Sequence, residues 1–453
     1  MRRSFAALLL TVLALAASPA LAQTAPLVIP ANVILPNNDG VPVGALGGLE
    51  GNAFTARAND STSPWFNPAG LARAESSSAS ASSGTFRIIS VTPEGTSNSG
   101  GSVDQIPAAV GIVVKKPFGH EAVTFGFAVA RTAAWDQSIE SEVVSEDLRQ
   151  RSTLSADTKF DRSTVGLSLG WDVNGPFRVG GGLLLDFLYL RSVEAFTNRQ
   201  ETATTVKTAT VSTRASGSEL SLRLGLGAQF DLSKNVTFGA NVRTPGVRLF
   251  PSGDYNVDAV LINGSANTQV SFSDANPDFA YKLPFEFALG GAYVCDTFEV
   301  EADVKFQTSH SSYNGFASNQ PVISIMDRGD GTQPAISTQP FPGKQFEAKS
   351  IVNVSVGGHF NLSKNKVWKL HAGFSTDQSP VGAGDSFFEH INLSTVTVGV
   401  TGSSQHFAGS LGLAYQFGKS DPKSFLDITG NQIIQTRFKV SNFGILYSAS
   451  YVF

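Results

Sequence analysis

Apolar and polar residues alternate one by one along most of the chain, from about residue 85 to its end. In 218–232 every second residue is apolar from Leu220 onwards, and the positions between carry charged or polar side chains or glycine. The same alternation recurs in 164–173 and 298–307. A period of two residues predicts β-strands with one face in an apolar environment and the other in water.

These alternating runs fit tilted membrane strands better than the shorter strands of a soluble sandwich. We predict strands near 84–92, 106–116, 121–131, 162–173, 177–190, 217–232, 235–243, 283–295, 297–308, 348–361, 367–376, 405–418, 424–436 and 442–453. Short turns alternate with long connections near 132–161, 191–216, 244–282, 309–347 and 377–404. Outer-membrane barrels alternate periplasmic turns and external loops in this way. The predicted fold class is all-β, a transmembrane antiparallel β-barrel of about 14 strands over 83–453.

The first residues have the three parts of a secretory signal peptide. Met1-Arg2-Arg3 is basic, the run from Phe5 to Ala17 is apolar, and Ala20-Leu21-Ala22 offers a small-residue cleavage site. A transmembrane helix is the alternative, but the apolar run is short and a cleavage site follows it. We predict a signal peptide over 1–22 and export of the mature protein.

A compact, turned segment precedes the first predicted strand. Ser63–Ala72 holds two prolines and a glycine, which forbid a long helix or a central strand there. We predict an N-terminal extension and hatch over 23–82 that plugs the barrel lumen. The Asn67 side chain is expected to cap or bridge backbone groups, and Pro68 to fix the turn. The predicted hatch residues are Asn67, Pro68, Ala69 and Gly70.

Composition and motifs argue against an enzyme. The net charge of -4 does not suggest a nucleic-acid partner, and the single cysteine cannot form an internal disulfide. The chain has no nucleophile elbow, phosphate loop or His/Cys cluster, so we expect no catalytic residue, no cofactor and no metal. His359 and His371 fall on predicted inward faces, where a solvated or hydrogen-bonded histidine is expected rather than a ligand.

Charged residues on the inward faces are candidates for binding an anionic ligand. Pairing across the turn at Ser233-Lys234 would make Arg223 and Arg243 cross-strand neighbours. Two adjacent guanidinium groups repel each other unless an anion lies between them, and a ligand carboxylate would serve. Lys305 is a third candidate by the same reasoning. The alternative is an internal salt-bridge network with carboxylates on the same faces, at Glu219, Glu301 or Asp303.

The chain resembles the FadL family of outer-membrane transporters in several motifs. Gly51-Asn52-Ala53-Phe54 followed by Asn67–Ala72 is similar to the N-terminal hatch of that family. Leu283-Pro284-Phe285-Glu286, the stretch Gly373–Val381 and the closing Tyr451-Val452-Phe453 support the resemblance. The family carries long-chain fatty acids and, in some members, aromatic hydrocarbons.

The resemblance implies passive transport of a hydrophobic compound across the bacterial outer membrane. External loops rich in apolar residues, at 257–262 and 321–326, would capture the ligand. A pocket behind the hatch would hold it, and a kink in the third strand at Gly126 would let it leave sideways into outer-membrane lipid. The aromatic C-terminal residue implies recognition by the barrel assembly machinery, and we expect a monomer.

Two other functions remain open at this point. A general diffusion porin for small polar solutes would explain the polar inward faces, although the hatch speaks against it. An outer-membrane hydrolase is disfavoured by the missing catalytic groups. Within the transporter interpretation, the ligand is a fatty acid, an aromatic hydrocarbon or another lipid.

Overall fold

The structure is a computed structural model that describes residues 34–38, 40–93, 100–145, 149–363, 365–421, 423–426 and 433–453. The predicted signal peptide over 1–22 lies outside these residues. In the described part of the chain, no helix is both long enough and apolar enough to span a membrane.

Strands dominate the described residues, and the few helices are short. The strands are β1 (Ser78–Pro93), β2 (Gly100–Lys115), β3 (Val123–Ser145), β4 (Gln150–Asp172), β5 (Phe177–Glu201), β6 (Val206–Ser233), β7 (Val236–Arg243), β8 (Val247–Asn263), β9 (Ala266–Asp274), β10 (Asp278–Phe279), β11 (Glu286–Val294), β12 (Phe298–Gln307), β13 (His310–Ala317), β14 (Pro321–Asp327), β15 (Ala335–Pro340), β16 (Lys344–Ala348), β17 (Ile351–Asn361), β18 (Trp368–Asp377), β19 (Ile391–Ser403), β20 (Phe407–Ser420), β21 (Lys423–Leu426), β22 (Ile433–Thr436) and β23 (Phe438–Val452). The helices are α1 (Ser63–Phe66) and three 3-10 helices, Gly47–Glu50, Pro68–Arg73 and Pro117–Gly119.

Fourteen strands close into one antiparallel barrel, which confirms the predicted fold class. The barrel runs through β1 to β7, then β11, β12, β17, β18, β19, β20 and β23. β23 pairs with β1 along nearly its whole length and closes the cylinder without leaving an edge. The main-chain N–H of Phe453 donates to the Ser77 carbonyl at 3.0 Å, so chain end and barrel start meet at one rim.

The alternating apolar and polar residues of the sequence lie on the outer and inner faces of the barrel wall. On β6, Leu224 and Leu226 point outward and are 50% and 58% exposed, whereas Arg223, directly before Leu224, points inward and is 1% exposed. Large exposed side chains of this kind, Leu, Val, Phe, Trp and Tyr, surround the barrel on strands from β4 to β23. Apolar side chains pointing outward from a closed barrel are stabilised by lipid hydrocarbon.

The membership of the barrel differs from the prediction at three places. The wall begins at Ser78, five residues before the predicted boundary at 83. The predicted strand 424–436 is replaced by the separate hairpin of β21 and β22, which does not join the barrel sheet. Instead β19, which lies inside the predicted loop 377–404, is one of the fourteen barrel strands. Its inward residues include Thr395, Thr397 and Thr401. Threonine is only weakly polar, so inward and outward positions of β19 differ little in polarity, and the alternation that predicts a strand is faint.

Four neighbouring strands continue beyond the membrane. β3 to β6 are 23 to 28 residues long, although about 9–11 residues suffice for a tilted membrane strand. The predicted loops 132–161 and 191–216 are therefore the outer ends of two long hairpins. β8 pairs with β6 there, and β9, β14 and β15 extend the same sheet. This outer sheet lies opposite the rim that holds the chain end.

Candidate functional site

The described residues before β1 lie inside the barrel, and we call residues 40–76 the N-terminal segment. Its 3-10 helix Gly47–Glu50 contacts β17, β18, β19 and β20, whereas the 3-10 helix Pro68–Arg73 contacts β3, β4, β5 and β6. The segment therefore reaches from one wall of the lumen to the opposite one. Pro64 and Pro68 lie in the first turns of their helices, where a missing N–H costs no hydrogen bond.

Asn67 joins two parts of the N-terminal segment to the wall. Its Oδ1 accepts from the Ala69 N–H at 3.1 Å and caps the following 3-10 helix. Its Nδ2 donates to the carbonyls of Thr55 at 2.9 Å and Ala228 at 3.0 Å, the latter on β6. The buried amide thus caps the helix and bridges segment and wall, and its role in a hatch stays a prediction.

Inward-facing glycines of the wall make room for the N-terminal segment. A Cβ added at any of them would come within 3.0 Å of an atom of the segment: Gly111, Gly126, Gly166, Gly170, Gly180, Gly227, Gly239, Gly290, Gly357, Gly373, Gly399 and Gly412. Pro68 and Ala69 lie against Gly180 in this way. Within the segment, Gly70 is equally constrained, because its Cβ would meet the Ala58 carbonyl. Real Cβ atoms do not approach so closely, so the segment packs directly on wall backbone.

Buried ion pairs fix the middle of the N-terminal segment. The Arg57 guanidinium bonds to Glu50 of the segment and, at 2.9 Å, to Glu301 of β12. Asp303 of β12 accepts the main-chain N–H of Phe54 at 3.0 Å. Burial alone would raise the pKa of Glu50, but Arg57 and two histidine contacts hold that pKa well below its usual range. Glu50 is therefore ionised at neutral pH.

The two histidines are His359 and His371, which lie opposite each other on β17 and β18. The Nδ1 atoms lie 2.9 and 2.8 Å from the Glu50 Oε1 atom. Both rings are buried, in agreement with their predicted inward faces. Sequence periodicity does not reveal their common partner, because Glu50 lies about 300 residues earlier in the chain.

The predicted ligand residues Arg223 and Arg243 are close together, but an anion of the protein lies between them. Arg243 is opposite Gly225, one pleat from Arg223. Glu286 of β11 accepts from Arg223 Nη1 at 3.0 Å and from Arg243 Nη1 at 2.6 Å. Arg243 also stacks on the Trp65 ring, with the guanidinium carbon 3.6 Å from the centroid. The alternative of an internal network thus describes this geometry, with Glu286 in place of the expected carboxylates.

Lys305 lines a small cavity together with Arg243 and Glu286. The cavity is lined by Thr55, Phe66, Asn241, Arg243, Glu286, Phe287, Ala288, Lys305, Phe306 and Gln307. Two of the three predicted ligand-binding residues, Arg243 and Lys305, therefore share this cavity, and Arg223 bonds to Glu286 in its lining. Their role as ligand contacts stays a prediction.

Arg162 of β4, which the sequence analysis did not single out, is a buried cation with spare hydrogen-bonding capacity. Its side chain is 1% exposed, and among the described residues its Nη1 has no hydrogen-bond partner. The Nε atom donates to Thr132 at 2.9 Å and lies 3.9 Å from Asp186. A buried guanidinium N–H without an acceptor is costly, so this position favours an anionic ligand.

An apolar cluster fills the outer half of the lumen around Arg162. Phe160, the next inward residue of β4, belongs to it, as do Leu188 and Ala133, which pair with Arg162 on the adjoining strands. Aromatic rings dominate the cluster and contact one another across the lumen: Phe160, Tyr255, Phe272, Phe279, Tyr281, Tyr313, Phe316, Phe341, Phe346, Phe387 and Phe388. We call this set the aromatic cluster.

The pairing of β3 does not break at Gly126. This residue pairs with Val113 of β2 and Ser168 of β4, and its inward face is covered by Leu71. The continuous pairing gives no support to the expected kink at Gly126, where the glycine admits the Leu71 side chain. The irregularity lies between Arg131 and Ala133, where Thr132 is an extra residue. The pairing of β2 with β3 ends just before it, at Ala109 and Ala130.

Comparison with known proteins identifies the family. Residues 43–442 match the family model described as "Outer membrane protein transport protein (OMPP1/FadL/TodX)". The chain belongs to this family. The protein is thus an outer-membrane transport channel for hydrophobic compounds and not an enzyme. No relative was found among curated protein sequences.

Solved structures of the same architecture share the fold at low sequence identity. A Pseudomonas aeruginosa FadL homologue superposes with a TM-score of 0.60 at 13% identity, covering 93% of this chain and 100% of the homologue. The Pseudomonas putida toluene transporter TodX gives 0.58 at 13% identity, covering 92% and 99%. The CymD monoaromatic hydrocarbon channel gives 0.51 at 14% identity, also covering 92% and 99%.

Proposed function

We propose that the protein transports long-chain fatty acids, or amphipathic compounds like them, across the outer membrane without an energy source. The observation that carries this proposal is the unpartnered Nη1 of buried Arg162 at the foot of the aromatic cluster. A ligand with an apolar body gains about 0.8 kcal/mol for each methylene that leaves water. A carboxylate at its end would give Arg162 the acceptor that it lacks.

Arg223, Arg243 and Lys305 belong to a second stage of this path in the proposal. The aromatic cluster lies on the outer side. Arg243 and Lys305 line the cavity deeper in the lumen, beside Phe66 of the N-terminal segment, and Arg223 bonds to Glu286 of that cavity. Because Glu286 occupies the space between the two arginines, a ligand carboxylate reaches them only by displacing it. Arg162 needs no such exchange, and we therefore assign the first contact with the carboxylate to Arg162.

The N-terminal segment acts as the hatch in this proposal. It touches opposite walls and is held by Asn67, by Arg57 and by backbone contact at the wall glycines. A lumen blocked at this level excludes free diffusion of ions and sugars, which disfavours the porin alternative. Ligand binding in the aromatic cluster would take place on the outer side of the block.

We place the sideways exit between β2 and β3, beyond Ala109 and Ala130. The β2–β3 pairing ends there, and the extra residue Thr132 is a bulge, which bends a strand. Ala133 and Trp135, which follow the bulge, belong to the apolar cluster in the lumen. An apolar ligand that leaves here enters outer-membrane lipid without crossing the hatch. Recognition of β23 by the barrel assembly machinery, and a monomeric state, remain part of the proposal.

An aromatic hydrocarbon is the second candidate ligand, because the cluster is rich in aromatic rings. The names of two similar solved structures, a toluene transporter and a monoaromatic hydrocarbon channel, agree with it. A hydrocarbon has no acceptor for Arg162, so this residue separates the two candidates.

The experiment is a binding titration of the purified barrel with a long-chain fatty acid and with its methyl ester. For Arg162→Gln we expect the fatty-acid affinity to fall about tenfold or more, since a hydrogen bond to a charged group contributes about 1.5–3 kcal/mol. Ester affinity should not change. Arg151→Gln, at an exposed pair with Glu142, is the matched control. Equal loss for acid and ester, or no loss for the acid, would contradict the proposed role of Arg162.

A further inference from the structure

Three metal-ligating side chains converge where the N-terminal segment meets the wall. One ligand atom from each of Glu50, His359 and His371 lies within 4.8 Å of the other two, and all three residues are buried. The two Nδ1 atoms are 2.9 and 2.8 Å from the Glu50 Oε1 atom. Glu50 comes from the segment, whereas the histidines face each other across β17 and β18. Two imidazoles and one carboxylate are a donor set that suits Zn²⁺ and related divalent transition metals.

The surroundings favour a bound cation over a purely hydrogen-bonded cluster. Arg57 occupies the Oε2 atom of Glu50 and leaves Oε1 directed at the two rings. Around Arg57 lie Glu50, Glu299, Glu301 and, through the adjoining main chain, Asp303. Arg57 is thus shared among several carboxyl groups, and the Oε1 atom of Glu50 is left to the two histidine rings.

Hydrogen bonding of the histidines gives an independent argument. If both Nδ1–H groups donate to Glu50, both Nε2 atoms become buried acceptors, and neither has a donor among the described residues. With a cation on Nδ1, each Nε2 carries the hydrogen instead, and for His359 this hydrogen has an acceptor nearby. Glu299 Oε1 lies 3.7 Å from His359 Nε2 and would then accept from it after a small shift. A carboxylate behind a ligating histidine is the usual support of such sites.

We propose that Glu50, His359 and His371 bind one divalent transition-metal ion, Zn²⁺ or a similar ion, which fastens the N-terminal segment to β17 and β18. Tetrahedral Zn²⁺ places its nitrogen and oxygen ligands about 3.3 Å apart, so the present 2.8–2.9 Å separations must open by about 0.5 Å. The fourth position is left for water. Glu299 is 27% exposed beside the turn before β12, which gives the ion a route from the rim.

The first test is calorimetric titration of the chelator-treated, detergent-solubilised full chain with Zn²⁺. We expect one high-affinity equivalent, and an affinity at least tenfold lower in His359→Gln and in His371→Gln. His406→Gln is the matched control, because His406 is exposed in the turn before β20 and outside the cluster. It should bind as the unaltered protein does. Affinity unchanged in both cluster variants would assign the ion to another site and overturn the proposal.

The second test measures metal binding in the unaltered protein by visible absorption and by proteolysis. Co²⁺ in place of Zn²⁺ should give the intense visible absorption of a tetrahedral site, and bound metal should slow proteolysis of the N-terminal segment. Heat-dependent migration in gels verifies that each variant retains a closed barrel. Neither the absorption nor the protection should appear if Glu50 serves only as a hydrogen-bonded latch, and their absence would refute the proposal.

Discussion

At the scale of single residues, glycines in the wall allow the N-terminal segment to lie close to the wall backbone. Gly227 of β6 lies so close to Asn67 that an added Cβ would come within 2.0 Å of the Asn67 Oδ1 atom. Gly225, two residues earlier on the same inward face, would bring its Cβ no closer than 3.4 Å to Leu184. The two glycines are chemically equal and differ only in what they face.

Gly227→Ala should loosen the hatch. The added methyl group displaces Asn67, breaks its bond to the Ala228 carbonyl, and costs about 1–3 kcal/mol of packing energy. We expect steady conductance in planar bilayers to rise several-fold, while Gly225→Ala conducts as little as the unaltered barrel. Equal conductance in the two variants would show that the contact at Asn67 does not hold the segment.

At the scale of elements, one extra residue in β3 changes which side chains face the lumen. Before Thr132 the inward residues are even-numbered, such as Ala128 and Ala130, and after it they are odd-numbered, such as Ala133 and Trp135. A bulge bends a strand and ends local pairing. The break in the alternation also explains why the predicted third strand stops at residue 131, although β3 continues to Ser145.

Deleting Thr132 should close the exit between β2 and β3. Without it the alternation of β3 is continuous, and β3 can follow β2 beyond Ala130. We expect long-chain fatty-acid uptake by cells to fall at least about fivefold, while binding to the purified barrel persists. Thr132→Ala keeps the bulge and removes only the hydroxyl that accepts from Arg162, so it is the control for backbone shape. Uptake that survives the deletion would place the exit elsewhere.

At the scale of the whole molecule, the sequence predicts the membrane part well and the outer half poorly. In the membrane one face of each strand contacts lipid hydrocarbon and carries apolar side chains. Residues such as Leu224 and Leu226 therefore predict β6 from the local sequence alone. Beyond the membrane the polarity reverses. Phe160 and Leu188 point inward there while Asp161 points outward, and the pattern no longer identifies the wall.

The candidate site was predictable only where its residues share a motif or one hairpin. Asn67 and Pro68 stand in one short turn, so their local role follows from backbone chemistry. Arg162 lies where the polarity of β4 reverses, at the first residue of its predicted strand. The partners of Glu50 and Arg57 come from β12, β17 and β18, and such pairings depend on barrel register that one sequence does not reveal.

The central claim, transport of long-chain fatty acids through a plugged barrel, is tested most directly by uptake. The protein is expressed in cells that lack their own fatty-acid porter, and the entry of labelled long-chain fatty acid, toluene and a small sugar is followed in parallel. We predict that fatty acid enters, that Arg162→Gln slows its entry, and that the sugar does not pass. Sugar entry without fatty acid would contradict the account and indicate a porin, and entry of toluene alone would contradict the proposed ligand class.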